Sequence, residues 1–132
     1  MTYATRPDLE KRYSADEIAQ RESALEAGAV DSALEDADAL IDGYLAGRYS
    51  LPMTTVPDIL VQTACALARY GLLGEAATDR ARNDQRDALA WLKDVQAGRV
   101  LLQAAVTVPG NAPEAIVMLT AQRPVFGRMG RP

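Results

Sequence analysis

Ala37-Asp38-Ala39-Leu40-Ile41-Asp42-Gly43-Tyr44-Leu45-Ala46-Gly47-Arg48-Tyr49-Ser50-Leu51-Pro52 is the stretch whose reading decides the fold. With Leu34 before it, the apolar positions Ala37, Ile41, Tyr44 and Leu45 recur at helical spacing. Asp31, Glu35, Asp38 and Asp42 recur at the same spacing on another face. The pattern predicts an amphipathic helix from about Val30 or Asp31, with one side seeking a core and the other carrying unmatched negative charge. Gly47 stands where a left-handed helix-ending residue is expected. Arg48-Tyr49 then leads into Ser-Leu-Pro, and Pro52 cannot continue a helix.

The rest of the chain reads outward from this helix. Pro7 to Tyr13 predicts a short first helix, with proline and Asp8 suited to its first turn and an extended lead-in over Tyr3 to Thr5. Ser14-Ala15-Asp16-Glu17 has the spacing of a capping box for a second helix that runs to about Glu26. After Pro57, the residues from Ile59 through Ala68 are apolar nearly all round, which predicts the buried centre of a bundle. Thr78 suits the cap of a fifth helix that begins polar, becomes apolar from Ala88 to Val95 and ends at Gly98.

From Arg99 the texture changes. Val100-Leu101-Leu102 and Val106-Thr107-Val108 are β-prone, and Pro109 to Pro113 is a turn signal. Ala115 to Leu119 can pair with the preceding run as a hairpin, or serve as arm or helix. Two prolines and two glycines between Gln122 and Pro132 exclude regular structure there. The expected architecture is all-α: a compact bundle of four to five helices over residues 1–98. A β-prone segment and an extended basic C-terminal arm follow over 99–132, with room for a short β-hairpin.

Composition agrees with that class. A chain of 132 residues is the size of one domain. It is 48% hydrophobic but only 5% aromatic, which favours closely packed helices over a β-sandwich. One cysteine, Cys65, excludes an internal disulfide and fits a reducing compartment. No basic-then-apolar start suggests a signal peptide, and no apolar run approaches the roughly 20 residues of a membrane span. Residues 1–98 carry 10 basic and 17 acidic side chains, a net of −7, whereas residues 99–132 carry four arginines against Glu114, a net of +3. An acidic body with a basic end suggests contact between tail and body, within one chain or between copies.

Chemistry is scarce. There is no histidine, which removes the commonest general base and metal ligand. Cys65 lies on the most apolar helix and reads as an inert buried thiol. Trp91, the lone tryptophan, reads as core packing. The acid stripe Asp31, Glu35, Asp38 and Asp42 is the one candidate for metal or acid–base work, but no second acidic cluster faces it. It reads instead as a solvated or interface face. Arg48 and Arg69 either snorkel beside apolar surface or pair with Asp38 or Asp42. Gly71-Leu72-Leu73-Gly74 lacks the lysine and the preceding strand of a phosphate loop. Acids interleaved with Arg80, Arg82 and Arg86 argue against duplex binding. No catalytic, metal or cofactor site is assigned.

The stretch Asp36 to Tyr49 followed by Leu51-Pro52 resembles the signature of the Mu-like phage and prophage virion protein family. Ala68-Arg69-Tyr70, the Ala88 to Gly98 helix and Pro124-Val125-Phe126-Gly127-Arg128 resemble it too. The chain departs from that family in its short link Gly28-Ala29-Val30 and in Pro109 to Pro113. The family is similar to the head–tail connector (head completion, or adaptor) proteins of tailed phages. The resemblance implies a non-enzymatic structural protein. About twelve copies would form a ring of heterologous contacts. The ring would dock on the portal protein and meet a tail completion or tail-terminator protein. It would reside in the host cytoplasm during assembly and then in the virion. DNA would pass through without specific binding, and acidic walls would repel phosphate. Charge pattern and resemblance together make Asp38, Asp42, Arg48, Tyr49, Arg69, Arg123, Pro124, Phe126 and Arg128 the candidate subunit or partner contacts. The residues alone also leave open a small helical partner-binding or regulatory module, and a metal-dependent enzyme using the acid stripe.

Overall fold

The computed structural model describes residues 1–102. Five α-helices follow one another: α1 (Arg6–Tyr13), α2 (Ala15–Ala24), α3 (Ala29–Leu45), α4 (Asp58–Leu73) and α5 (Asp79–Gln96). A single 3₁₀ turn, Gly74–Ala76, links α4 to α5. No extended strand occurs among the described residues. The expected hairpin over Val106 to Leu119 and the expected basic arm lie outside the described residues; of the first β-prone run, Val100 lies in a bend, Leu101 is exposed and Leu102 is buried against the bundle.

α4 is the hub. It buries Leu60, Thr63, Ala64, Cys65, Leu67, Ala68 and Leu72 and touches each of the other four helices. Its apolar residues face several neighbours at once, so it is covered on most sides, although Ile59, expected in the buried centre, is exposed in its first turn together with Asp58. α3 covers it with Leu34, Ala37, Ile41 and Leu45, and α5 with Ala88, Leu92 and Val95. Ala37, Ala64, Ala68 and Ala88 are small enough to let these helices approach closely, as an alanine-rich, aromatic-poor chain requires. Thr63, the one buried hydroxyl on α4, donates to the Ile59 carbonyl one turn back at 2.7 Å. The short α1 and α2 contribute one fully buried side chain each, Leu9 and Ile18.

The helix ends obey hydrogen-bond accounting. Thr5 caps α1, and the Asp8 carboxylate reaches back to accept from the Thr5 N–H at 2.9 Å and its hydroxyl at 3.0 Å. Ser14 closes one helix and opens the next. Its N–H donates to the Glu10 carbonyl at 2.9 Å, and its hydroxyl accepts from the Glu17 N–H at 3.2 Å. This reversal holds Ser14 at φ +94°. Only that half of the expected capping box forms, because the Glu17 carboxylate is drawn to Arg69 instead. Thr78 caps α5 by accepting from the Ala81 N–H at 3.1 Å, as its position suggests. At the other end of α4, Arg21 of α2 donates to the Leu72 carbonyl at 3.0 and 3.3 Å, filling one of the acceptors that a helix end leaves open.

One expected terminator is corrected. Gly47 does not end α3 in the left-handed region. Ala46 stays right-handed at φ −57°, and the N–H groups of Arg48 and Tyr49 both fold back onto the Leu45 carbonyl, at 3.0 and 2.9 Å. The chain keeps turning in the helical sense, so no positive φ is needed. The left-handed glycine that matters is Gly98, after α5, at φ +83°. A Cβ there would also stand 2.9 Å from Arg48 Nη2.

The two glycines therefore respond oppositely to alanine. Gly98→Ala is expected to lower stability by about 1–2 kcal/mol, the cost of a left-handed L-residue. Gly47→Ala, with nothing within 4 Å of its Cβ, is expected to be neutral or stabilising by up to about 1 kcal/mol. Urea midpoints of the two variants check this. Equal losses would return the left-handed role to Gly47.

Candidate functional site

α3 carries the acid stripe, and the fold splits it. Asp31 and Glu35 are exposed. Asp38 is only 9% exposed, because the first five residues lie across this part of α3 and bury Tyr3 and Ala4. The buried carboxylate needs a donor. Asp38 Oδ1 accepts from the Tyr3 N–H at 2.9 Å. One turn on, Asp42 accepts from the Tyr3 hydroxyl at 2.6 Å and from the Met1 ammonium at 2.9 Å. Burial pushes the Asp38 carboxyl above the usual carboxylate range, against the lowering effect of the Tyr3 N–H. Burial, and then the bond to Asp42, push the Tyr3 hydroxyl upward as well. The bond to Asp42 raises the Met1 ammonium despite desolvation, which opposes it.

The expected pairing of Asp38 or Asp42 with Arg48 or Arg69 is thus corrected. Both carboxylates hold down the chain's own first residues. Arg48 leaves the turn after α3 and donates from Nε to the Gln96 carbonyl at 2.6 Å, capping α5. Arg69 donates to Glu17 at 3.1 and 3.3 Å, and its guanidinium lies 4.4 Å from the centre of the Tyr13 ring. Tyr49 is 1% exposed, and its hydroxyl accepts from the Leu102 N–H at 3.1 Å, which fastens the chain leaving α5. Arg123, Pro124, Phe126 and Arg128 lie outside the described residues.

The residues that sequence reasoning missed are Tyr3 and Arg21. Tyr3 stood two residues before the Thr5 cap in a chain with few aromatics. A large ring there was the available signal that the lead-in is packed rather than merely extended. Arg21 gave no local signal, since its partner lies 51 residues away.

Nothing among the described residues brings three or more histidine, cysteine, aspartate or glutamate side chains together to hold a metal ion. Cys65 is fully buried, and burial pushes its thiol up to about 11, far from a reactive thiolate. Trp91 is half-buried against the core and also lines a polar groove with Tyr13, Arg12, Arg80, Asp84 and Asp87. A second, more apolar groove of about 540 Å³ lies where the C-terminal ends of α2 and α4 meet the first half of α3. No described helix is long and apolar enough to cross a membrane.

The sequence is similar to known proteins. The profile of the family described as "Bacteriophage Mu, Gp36" matches residues 3–119. The Mu-like prophage FluMu protein gp36 of Haemophilus influenzae is 42% identical over 105 residues, covering 76% of this chain and 74% of that protein. Gene product J of Escherichia phage Mu is 34% identical over 138 aligned positions, covering 97% of this chain and 96% of that protein.

Two outcomes test the clamp on α3. Asp38→Ala leaves the buried Tyr3 N–H without an acceptor and is expected to cost about 1–3 kcal/mol in chemical denaturation. Asp38→Asn keeps an acceptor oxygen and removes the buried charge, so it is expected to cost less. Because the folded state holds the Asp38 proton more tightly than the unfolded one, wild-type stability carries a loss as pH rises from 3.8 through the folded value. The asparagine variant should lack that component; equal costs for both variants would contradict it. At the alkaline end, the raised Tyr3 hydroxyl makes stability fall as pH climbs above the ordinary tyrosine value of 10.0. Tyr3→Phe should flatten that fall and cost about 1 kcal/mol at neutral pH, since Asp42 is about a third exposed. An unchanged alkaline profile would contradict it.

Proposed function

This chain belongs to the Bacteriophage Mu Gp36 family, and from that membership we propose that it is a structural head–tail connector without enzymatic activity. Copies assemble as a ring of about twelve on the portal protein, and the ring's other side receives a tail completion or tail-terminator protein. The protein works first in the host cytoplasm, during assembly, and then in the virion at the head–tail junction. The observation that carries the reading is the family match over residues 3–119, nearly the whole chain.

The charge distribution supports the same reading. The arginines first considered as contacts, Arg48 and Arg69, are spent on holding the bundle together. Three arginines lie beyond residue 122, and they form the basic counterpart to an acidic body. Unlike surfaces on one chain suit the heterologous contacts of a ring. An acidic bundle around a channel also disfavours adhesion of passing DNA, because phosphate binding needs cationic side chains.

Removing residues 122–132 tests the assembly role. The described core lies within residues 1–102, so the truncated chain should keep its helical content and still unfold cooperatively. In a phage carrying only the truncated chain, filled heads and finished tails should accumulate unjoined, as counted by electron microscopy. Joined particles at the normal level would remove the arm from the assembly reaction.

A further inference from the structure

The apolar groove at the start of α3 has a rim unlike the rest of the surface. Four large hydrophobic side chains are exposed among the described residues, and two of them, Leu25 and Leu40, border this groove. Small residues, Ala33 and Gly71 among them, line it and leave room for a bulky side chain. Glu26 and Asp36 also line it, and neither has an ion-pair partner among the described residues. The groove therefore calls for an occupant with an apolar centre and positive ends.

The chain carries such a segment. Arg123-Pro124-Val125-Phe126-Gly127-Arg128 places three apolar residues, including the only phenylalanine, between two arginines. In extended form its two arginines stand about 17 Å apart. The rise along α3 from Gly28 to Asp36 is about 12 Å, so long arginine side chains at the two ends reach acids near Glu26 and Asp36. We infer that this groove is the seat of residues 123–128 of the same molecule.

Reach and concentration favour the same chain over a second copy in solution. Leu102 is fastened to Tyr49, just past the far end of α3, and that end is about 18 Å of helix from Ala33. The 21 residues from Leu102 to Arg123 span up to about 70 Å, ample for the return. Tethering at that length supplies an effective concentration on the order of millimolar, well above a micromolar protein solution. Exchange of the segment between neighbouring copies, a domain swap, turns the same contact into one between subunits. Seating in the molecule's own groove does not depend on any role at a head–tail junction, and a failed junction experiment would leave it standing.

Paired cysteines in the full chain test it, since native Cys65 is fully buried and does not compete. Leu40→Cys with Gly127→Cys places one thiol on the groove rim and one beside Phe126. Asp58→Cys with Gly127→Cys is the control: Asp58 is exposed and begins α4, away from the groove. Under mild oxidation at micromolar protein, the rim pair is expected to bridge within single molecules at least tenfold faster than the control. Adding Phe126→Ala and Arg123→Ala should remove that advantage. Equal rates for the two pairs, bridges formed only between molecules, or an advantage that survives the two alanines would overturn the assignment. Circular dichroism of each variant confirms that the bundle is intact.

Discussion

A helix that is apolar on most of its sides has to be covered on most of them, and α4 imposes that constraint on the whole chain. Leu60, Ala64, Cys65, Leu67, Ala68 and Leu72 are all buried, and water meets α4 chiefly at Asp58, Ile59, Gln62 and Gly71. α3 and α5 supply the long walls, and α1 and α2 close the remainder with Leu9 and Ile18. Burying a leucine of this kind is worth about 2–3 kcal/mol, so no covering helix can leave without a large loss. Polar groups caught in this packing have local answers. Thr63 donates to its own helix, Arg21 fills the end of α4, and Arg69 meets Glu17 over the Tyr13 ring.

Asp38 is the costly exception, and it explains the start of the chain. A buried carboxylate is tolerated only with donors in place. Tyr3 supplies its N–H to Asp38 and its hydroxyl to Asp42, so a segment that makes no helix becomes part of the core. The same segment leads into the Thr5 cap of α1. The acid stripe that first suggested a metal or an arginine partner is half structural latch and half exposed surface.

Much of the bundle was legible because it rests on local rules. Periodicity identified α3 to α5, the proline and Asp8 marked the first turn of α1, and Thr78 capped α5 as its position suggested. What was not legible depends on distant partners. A helical wheel places Asp38 beside Ala37 and Ile41, but it cannot say that Tyr3 will cover it. Glu17 had the spacing of a capping box, but Arg69, 52 residues away, took its carboxylate. Gly47 looked like a terminator, yet whether a glycine must be left-handed depends on where the chain goes next. After α3 it kept turning, and after α5 it reversed at Gly98. The candidate contact residues on the arm lie outside the described residues, so their placement rests on charge, chain length and the shape of the groove.

One chain, of a family named from phage Mu, joins an acidic bundle to a basic C-terminal sequence. The place we propose for it is a ring between portal and tail. Cryo-microscopy of a Mu-like virion carrying this chain, at a resolution that shows helices, tests it most directly. The expected result is copies of a five-helix bundle, each with α4 in contact with the other four helices, in a closed ring on the portal. A junction filled entirely by other chains, with this bundle elsewhere in the particle or absent from it, would contradict the claim.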